Sequence, residues 1–243
     1  MRFPEIEVVG HAGAGLDMER VPFPGNTQES LDFAIALGLS HVEIDLQLSS
    51  DGHWILFHDD FLQARTNFSG CIGEYNLPEL ENLRYNGFPN TKIPAFKDLD
   101  VSSFETVFLD IRDYRPCADF QSIDTAQMHQ EIIAAAERFP NQHFVIISRR
   151  IPVLLHFKNL GFDVCFETVD VANMALASSN FGIDFFTFRN RNISANEVAS
   201  ARQSGWRIML FDTKSHAGNR QAMKKNPNFV LTDAVVSALQ LTQ

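Results

Sequence analysis

Residues 42–60 read VEIDLQLSSDGHWILFHDD, and the register of this stretch sets the reading of the whole chain. From Val42 to Leu46 apolar and acidic side chains alternate with the period of a strand, so Glu43 and Asp45 share one face. Two rises of roughly 3.3 Å put their backbones about 7 Å apart, close enough for both carboxylates to grip one ion. Ser50-Asp51-Gly52 is a turn signal and Trp54 to Phe57 a second apolar run, so the strand folds back as a hairpin. The hairpin ends in His58-Asp59 and returns an imidazole to the level of the acids. A solvated edge strand would show the same alternation, but it would not bring a histidine back beside the carboxylates.

Upstream, Ile6 to Gly10 is a short apolar strand followed by His11-Ala12-Gly13-Ala14-Gly15. The glycines do not fall in the G-x-G-x-x-G order and no helical pattern starts directly after them, which excludes a dinucleotide-binding turn. Asn26 with Glu29 three residues on has the form of a capping box, opening a helix that Gly38 closes. Residues 60–100, rich in Gly and Pro, read as an insertion with a short helix near Leu77 to Leu83. From Thr106 the rhythm is regular. Strands are expected at 106–112, 143–148, 162–166, 183–188, 206–211 and 229–232. Helices are expected at about 122–138, 150–160, 170–180, 194–204, 216–225 and 234–241. Eight strands, each followed by a helix or by an insertion leading to one, predict a (β/α)8 TIM barrel of the α/β class. The chain is expected to be one barrel domain over 1–243, with an inserted segment at about 47–100. A doubly wound open sheet is the alternative architecture.

Composition narrows the partners. At 243 residues the chain buries a large core. A net charge of −10 argues against nucleic acid or an anionic membrane surface as the main partner. No apolar run reaches membrane-spanning length, and no basic flank precedes an apolar signal core at the N-terminus. The three cysteines, Cys71, Cys117 and Cys165, share no metal-ligand spacing and read as reduced thiols of a cytoplasmic protein. The oligomeric state is left open.

Active sites of such barrels lie at the C-terminal ends of the strands. The polar residues expected there on three consecutive strands are His11, Glu43, Asp45, His58, Asp110 and Arg112. Further round stand Arg149, Glu167, Arg189, Asp212 and Asp233. Three carboxylates converging in one barrel mouth repel one another unless a cation neutralises them. Oxygen-only ligands favour a hard ion, Mg²⁺ or Ca²⁺, over zinc. Such an ion flanked by two histidines suits attack at phosphorus, with Arg112 on the anionic oxygens and one imidazole taking the proton that the other replaces.

On these residues the chain resembles the glycerophosphodiester phosphodiesterases, within the barrel group that includes phosphatidylinositol-specific phospholipase C. The resemblance covers almost the whole chain. His11-Ala12-Gly13 stands for the family's His-Arg-Gly and Gly25-Asn26-Thr27 for its Glu-Asn-Thr. Glu43-Ile44-Asp45 matches its Glu-x-Asp, Asp51-Gly52 its hairpin turn and His58-Asp59 its second histidine motif. Leu109-Asp110-Ile111-Arg112 stands where the family has Glu-Ile-Lys, and Thr232-Asp233 matches its terminal Thr-Asp. The resemblance implies that His11 and His58 are the acid–base pair and that Glu43, Asp45 and Asp110 bind the metal. It implies that Arg112 contacts phosphate, and that the substrate is a small phosphodiester cleaved by hydrolysis, in some relatives through a cyclic phosphodiester.

Two departures are paired: Ala12 replaces an arginine and Gly25 its acidic neighbour, so a partnership is removed without leaving an orphan charge. Phe211 stands near the family's Trp of Trp-Thr-Val-Asn. Phe211 and Arg189 are expected to contact substrate; Phe186, Phe188 and Phe211 read as plain barrel core sooner than as the apolar wall of a leaving-group pocket. Ala12 and Gly25 also raise the alternative of a retired barrel that binds a phosphorylated ligand. A lyase-type relative that stops at the cyclic phosphate is a third reading. His41, His53, His129 and His156 are expected to be structural or solvated, Arg149-Arg150 a surface pair sooner than a strand-end cap or a site for a second anionic group, and Lys224-Lys225 a response to a helix dipole.

Overall fold

The computed structural model describes residues 2–16, 21–112 and 125–243. Its strands are β1 (Glu7–Gly10), β2 (His41–Leu48), β3 (Trp54–Leu56), β4 (Arg84–Tyr85), β5 (Phe88–Lys92), β6 (Thr106–Ile111), β7 (His143–Ser148), β8 (Asp163–Glu167), β9 (Phe185–Arg189), β10 (Arg207–Thr213) and β11 (Phe229–Thr232). Its helices are α1 (Gln28–Ala36), α2 (Leu77–Glu81), α3 (Thr125–Arg138), α4 (Ile151–Asn159), α5 (Ala172–Phe181), α6 (Ala195–Gln203), α7 (His216–Met223) and α8 (Val235–Thr242). β1 pairs in parallel with both β11 and β2, so β1, β2 and β6 to β11 close into an eight-stranded parallel barrel. Closure excludes the open doubly wound sheet. The expected helix over 122–138 is seen from Thr125 onward; residues 122–124 lie outside the described residues.

Side-chain alternation sorts the barrel into two cores. Strand residues facing the helices, among them Val42, Ile44, Leu109, Ile146, Phe186, Phe188 and Leu210, share a core with helix residues such as Leu31 and Leu154. Residues facing the axis, Val9, Phe108, Val145, Ile147, Cys165, Phe185, Met209 and Leu231, fill the barrel. Fully burying one such aromatic ring or branched side chain contributes about 1.5–3 kcal/mol. Phe186 and Phe188 therefore belong to the outer core, where aromatic bulk packs against helices, and not to a pocket wall. α1 is capped by Thr27, whose hydroxyl accepts from Ser30 N at 3.2 Å, not by Asn26 as the sequence pattern suggests. Asn26 instead adopts φ +62° and turns its amide elsewhere.

β3 runs antiparallel to β2, pairing Leu46 with Leu56 and Leu48 with Trp54. The insertion beyond it has its own small core of Ile55, Phe57, Leu62, Ile72, Leu77, Leu80, Tyr85, Ile93 and Ala95. Within it β4 and β5 form a short hairpin around Asn86-Gly87, a turn signal that does not stand out from the other glycines of this segment. Glu131 on α3 accepts from His53 Nδ1 at 2.6 Å and from Trp54 N at 3.1 Å, which fastens the hairpin turn to the barrel wall. His129 Nδ1 and His156 Nε2 lie 3.0 Å apart between α3 and α4. His41 starts β2 at the far end of the barrel, beside Glu7.

The expectation of three reduced thiols is corrected at Cys71, which is disulfide-bonded. Sequence spacing says nothing of which chain segments fold together, so that link was invisible, and it removes the ground on which a reducing compartment was read. Cys165 is free and buried in the barrel axis, and burial pushes its thiol well up. Among the described residues no helix is long and apolar enough to cross a membrane.

Candidate active site

The site follows from stepping two residues beyond the barrel-filling layer, which keeps each side chain on the axis and raises it to the C-terminal mouth. From Val9 the step reaches His11, from Phe108 Asp110, from Ile147 Arg149 and from Cys165 Glu167. From Phe185 it reaches Thr187, from Met209 Phe211 and from Leu231 Asp233. Glu43 and Asp45 come from β2, where Asp45 sits in register with Asp110 of β6. All of these but the fully buried Asp45 line a cleft of about 240 Å³ that also includes His58, Arg112 and Arg189.

Two imidazoles face one another across it, with ring centroids 5.4 Å apart and planes at 76°. Each has a carboxylate at Nδ1. His11 Nδ1 lies 2.8 Å from Asp233, and His58 Nδ1 lies 3.3 Å from Asp59. Such a partner fixes the tautomer and aims the other nitrogen at the cleft. Asp59 is held in turn by Arg65 Nε at 2.7 Å, and Asp233 accepts from Leu16 N at 3.0 Å. His58 is carried by the hairpin, not by a barrel strand. Gln47 secures it: its amide donates to Phe57 O at 2.5 Å and to Asp59 O at 3.1 Å.

Burial alone would lower the His11 pKa, but the hydrogen bond and charge of Asp233, with Glu43 and Asp45 behind it, raise it to about 9. Burial works the other way on Asp233 and would lift it; its bond to His11 brings it down to about 2 instead. A raised histidine stabilises fully below its ordinary 6.5 and loses that contribution as pH rises towards 9. A lowered aspartate stabilises above 3.8 and loses it towards 2. Asp233→Asn should therefore move the His11 midpoint downward in a proton NMR titration. The alkaline limb of the kcat/KM profile should follow it to lower pH; an unmoved midpoint would refute the pairing.

Glu43, Asp45 and Asp110 offer carboxylate oxygens that all lie within 4.8 Å of one another, as do ligand atoms of His11, Asp45 and His58. Asp45 is the best held. Asn26 Nδ2 donates to its Oδ2 at 2.7 Å while Asp45 N donates to Asn26 Oδ1 at 2.9 Å. This explains the left-handed backbone of Asn26, a conformation asparagine tolerates better than most residues. Burial works to raise the Asp45 pKa, but Arg112 and the two histidines outweigh it and hold it well below the usual carboxylate range. Burial and the Asp45 charge push Glu43 well up, and burial with the charges of Glu167 and Asp45 lifts Asp110 to about 7 against the pull of Arg112.

Arg112 Nε donates to Asp45 Oδ1 at 2.6 Å and lies 3.0 Å from Asp110 Oδ2, with a second guanidinium nitrogen also on Asp45. Its charge thus bridges the acids while it lines the cleft. One oxygen of the trio, Asp110 Oδ1, is buried without a hydrogen-bond partner among the described residues. A hard, oxygen-seeking cation fits that set: three converging carboxylates, one with a lone pair unspent.

All eight residues singled out from the sequence, His11, Glu43, Asp45, His58, Asp110, Arg112, Arg189 and Phe211, meet at this mouth. Arg189 and Phe211 stand on its far wall, with the guanidinium 5.8 Å from the ring centre. Ala12 is fully buried, and a Cβ on Gly25 would come within 2.9 Å of the Ala12 Cβ. The two departures from the family pattern therefore face one another, as their pairing implied. Asn26, Gln47, Asp59 and Asp233 were not given supporting roles from sequence, although Asn26, Asp59 and Asp233 sit inside the quoted motifs. Arg149 and Arg150 are both exposed, and the Arg149 guanidinium also bonds Glu167 at 2.5 Å on the cleft wall. Lys225 does more than answer a helix dipole, since its ammonium binds Asn190 O and, at 2.8 Å, Ile193 O.

Residues 11–143 match the family model described as the glycerophosphoryl diester phosphodiesterase family. A glycerophosphodiester phosphodiesterase of Caldanaerobacter subterraneus subsp. tengcongensis is 22% identical over 97% of both chains. Among solved structures, a phosphodiesterase of Oleispira antarctica in complex with the product sn-glycerol-3-phosphate aligns with a TM-score of 0.81 at 17% identity, covering 97% of this chain and 96% of the other. The glycerophosphodiester phosphodiesterase of Thermotoga maritima aligns with a TM-score of 0.74 at 17% identity, covering 97% and 98%.

Proposed function

The chain belongs to the glycerophosphoryl diester phosphodiesterase family, and from that premise we infer that it hydrolyses glycerophosphodiesters or similar small phosphodiesters with the help of a divalent cation. The observation that carries this reading is the pair of imidazoles facing each other at 5.4 Å beside three converging carboxylates. Glu43, Asp45 and Asp110 would hold the cation, Mg²⁺ or Ca²⁺ by the hardness of their oxygens. When bound, it would offset the charge gathering on the phosphate oxygens.

His11, with its pKa raised to about 9, holds its proton at neutral pH and is suited to give it to the departing alkoxide. His58, opposite, takes the proton of the attacking hydroxyl or water. One P–O bond forms as the other breaks, and one proton passes each way. Asp233 and Asp59 keep the two rings aimed. Arg112, Arg189 and Phe211 line the cleft where the phosphate and its alcohol would lie. The reading as a retired barrel gains no support, because the imidazoles and acids stand assembled while Ala12 and Gly25 merely pack against each other. A panel of phosphodiesters incubated with Mg²⁺, Ca²⁺ or chelator and followed by phosphorus NMR tests the proposal. Phosphomonoester product that disappears with chelation supports it; a cyclic product alone indicates the lyase reading, and no turnover of any substrate refutes it.

A further inference from the structure

Resting on that reading, we propose that a recess beside the catalytic cleft binds a second anionic group, one carried by the alcohol half of the substrate. The recess measures about 560 Å³ and lies over the ends of β8 and β9. It shares Arg149, Glu167 and Arg189 with the cleft, so a ligand seated between His11 and His58 reaches it without leaving the protein surface. Although the chain as a whole carries −10, the charged residues lining this recess are Arg149, Arg189, Arg191 and the single acid Glu167.

Glu167 is already matched by Arg149 at 2.5 Å. Arg189 comes no nearer than 3.9 Å to Asp212, beyond hydrogen-bond range. The recess is therefore left with a surplus of positive charge, on Arg191 and on Arg189, which pairs with Asp212 only at long range, both planar guanidinium forks whose geometry suits phosphate and carboxylate. A choline-like cation would be repelled there, and a plain alcohol would gain nothing.

Arg191 stands on a short 3-10 turn, Asn190–Asn192, directly after β9. Lys225 pins that turn from behind through the carbonyls of Asn190 and Ile193. A fixed turn lowers the ordering cost of binding. Thr187, on the cleft wall next to Arg189, adds a buried hydroxyl with no hydrogen-bond partner among the described residues. This side of the mouth is thus equipped for a polar, negatively charged group, and the acid–base pair stands on the other.

The test compares two glycerophosphodiesters, one whose second alcohol is glycerol and one whose second alcohol bears a phosphate monoester, on the parent and on R191Q, with R191K as the charge-keeping control. The parent should show the lower KM for the two-anion substrate, and R191Q should erase about tenfold of that preference while R191K retains most of it. Calorimetric titration with inorganic phosphate is the second arm, and R191Q should weaken phosphate binding by a similar factor. Hydrolysis with equal preference in parent and R191Q, and phosphate binding unmoved, overturns the recess while the phosphodiesterase reading stands. Phosphate binding that depends on Arg191 in a protein that cleaves neither substrate leaves the recess as an anion site and overturns the activity instead.

Discussion

His58→Ala lowers kcat by about 10²- to 10⁴-fold, the usual share of a general acid or base, and His11→Ala does the same. One imidazole takes a proton from the nucleophile as the other gives one to the leaving group, so removing either interrupts the same event. The double variant should accordingly be little worse than either single one, since residues acting as a unit are not additive. The fold should survive in each case. His58 is flanked by the insertion's own apolar core, and Asp233 keeps its bond from Leu16 N when His11 is gone. Steady-state kinetics beside circular dichroism and thermal melts make the measurement. Parent-like turnover in either single variant would end the acid–base assignment.

Asp110→Asn should separate stability from ion binding, with opposite signs. The Asp110 carboxyl is raised to about 7 by burial and by the neighbouring charges of Glu167 and Asp45, so ionising it works against the fold. A carboxylate raised in this way costs stability above its ordinary pKa, and the cost grows as pH climbs through the folded-state value. In the absence of divalent cations the variant should melt higher by roughly 2–4 °C for each kcal/mol relieved. The gap should be wider at pH 8 than at pH 5. Arg112 keeps its bonds to Asp45, so no buried cation is orphaned. The same substitution removes one of three converging ligands, and the rise in Tm that Mg²⁺ or Ca²⁺ confers on the parent should shrink or vanish. A variant that melts lower at pH 8, or keeps its full response to the cation, would contradict the assignment.

Much of this was legible in the residues because a parallel barrel repeats one rule. Apolar runs of strand length alternating with helical patterns announced the eight units, and the two-residue period placed Glu43 with Asp45. The hairpin was readable because Asp51-Gly52 must turn and Trp54-Ile-Leu must be buried. The supporting partners were harder. Asn26 looks like a cap from its distance to Glu29, and only its backbone angle and the approach of Asp45 reveal the clamp. Gln47 lies on the alternating face but carries no motif, and its work is to reach the carbonyls of a chain segment ten residues away. Arg149 is exposed, as its place beside Arg150 suggests, but sequence alone does not say that it meets Glu167 across the cleft wall. That Cys71 is disulfide-bonded is likewise written in no local pattern.

One imidazole rides on the barrel and the other on a hairpin that leans on a separate cluster of apolar side chains, fastened to the wall through Glu131 and Gln47. The two halves of the proton relay therefore belong to units of unequal ruggedness. On warming, the enzyme should fall silent before its cylinder comes apart, and a ligand or crosslink that braces the outlying lobe should lengthen its working life without raising the final melting point.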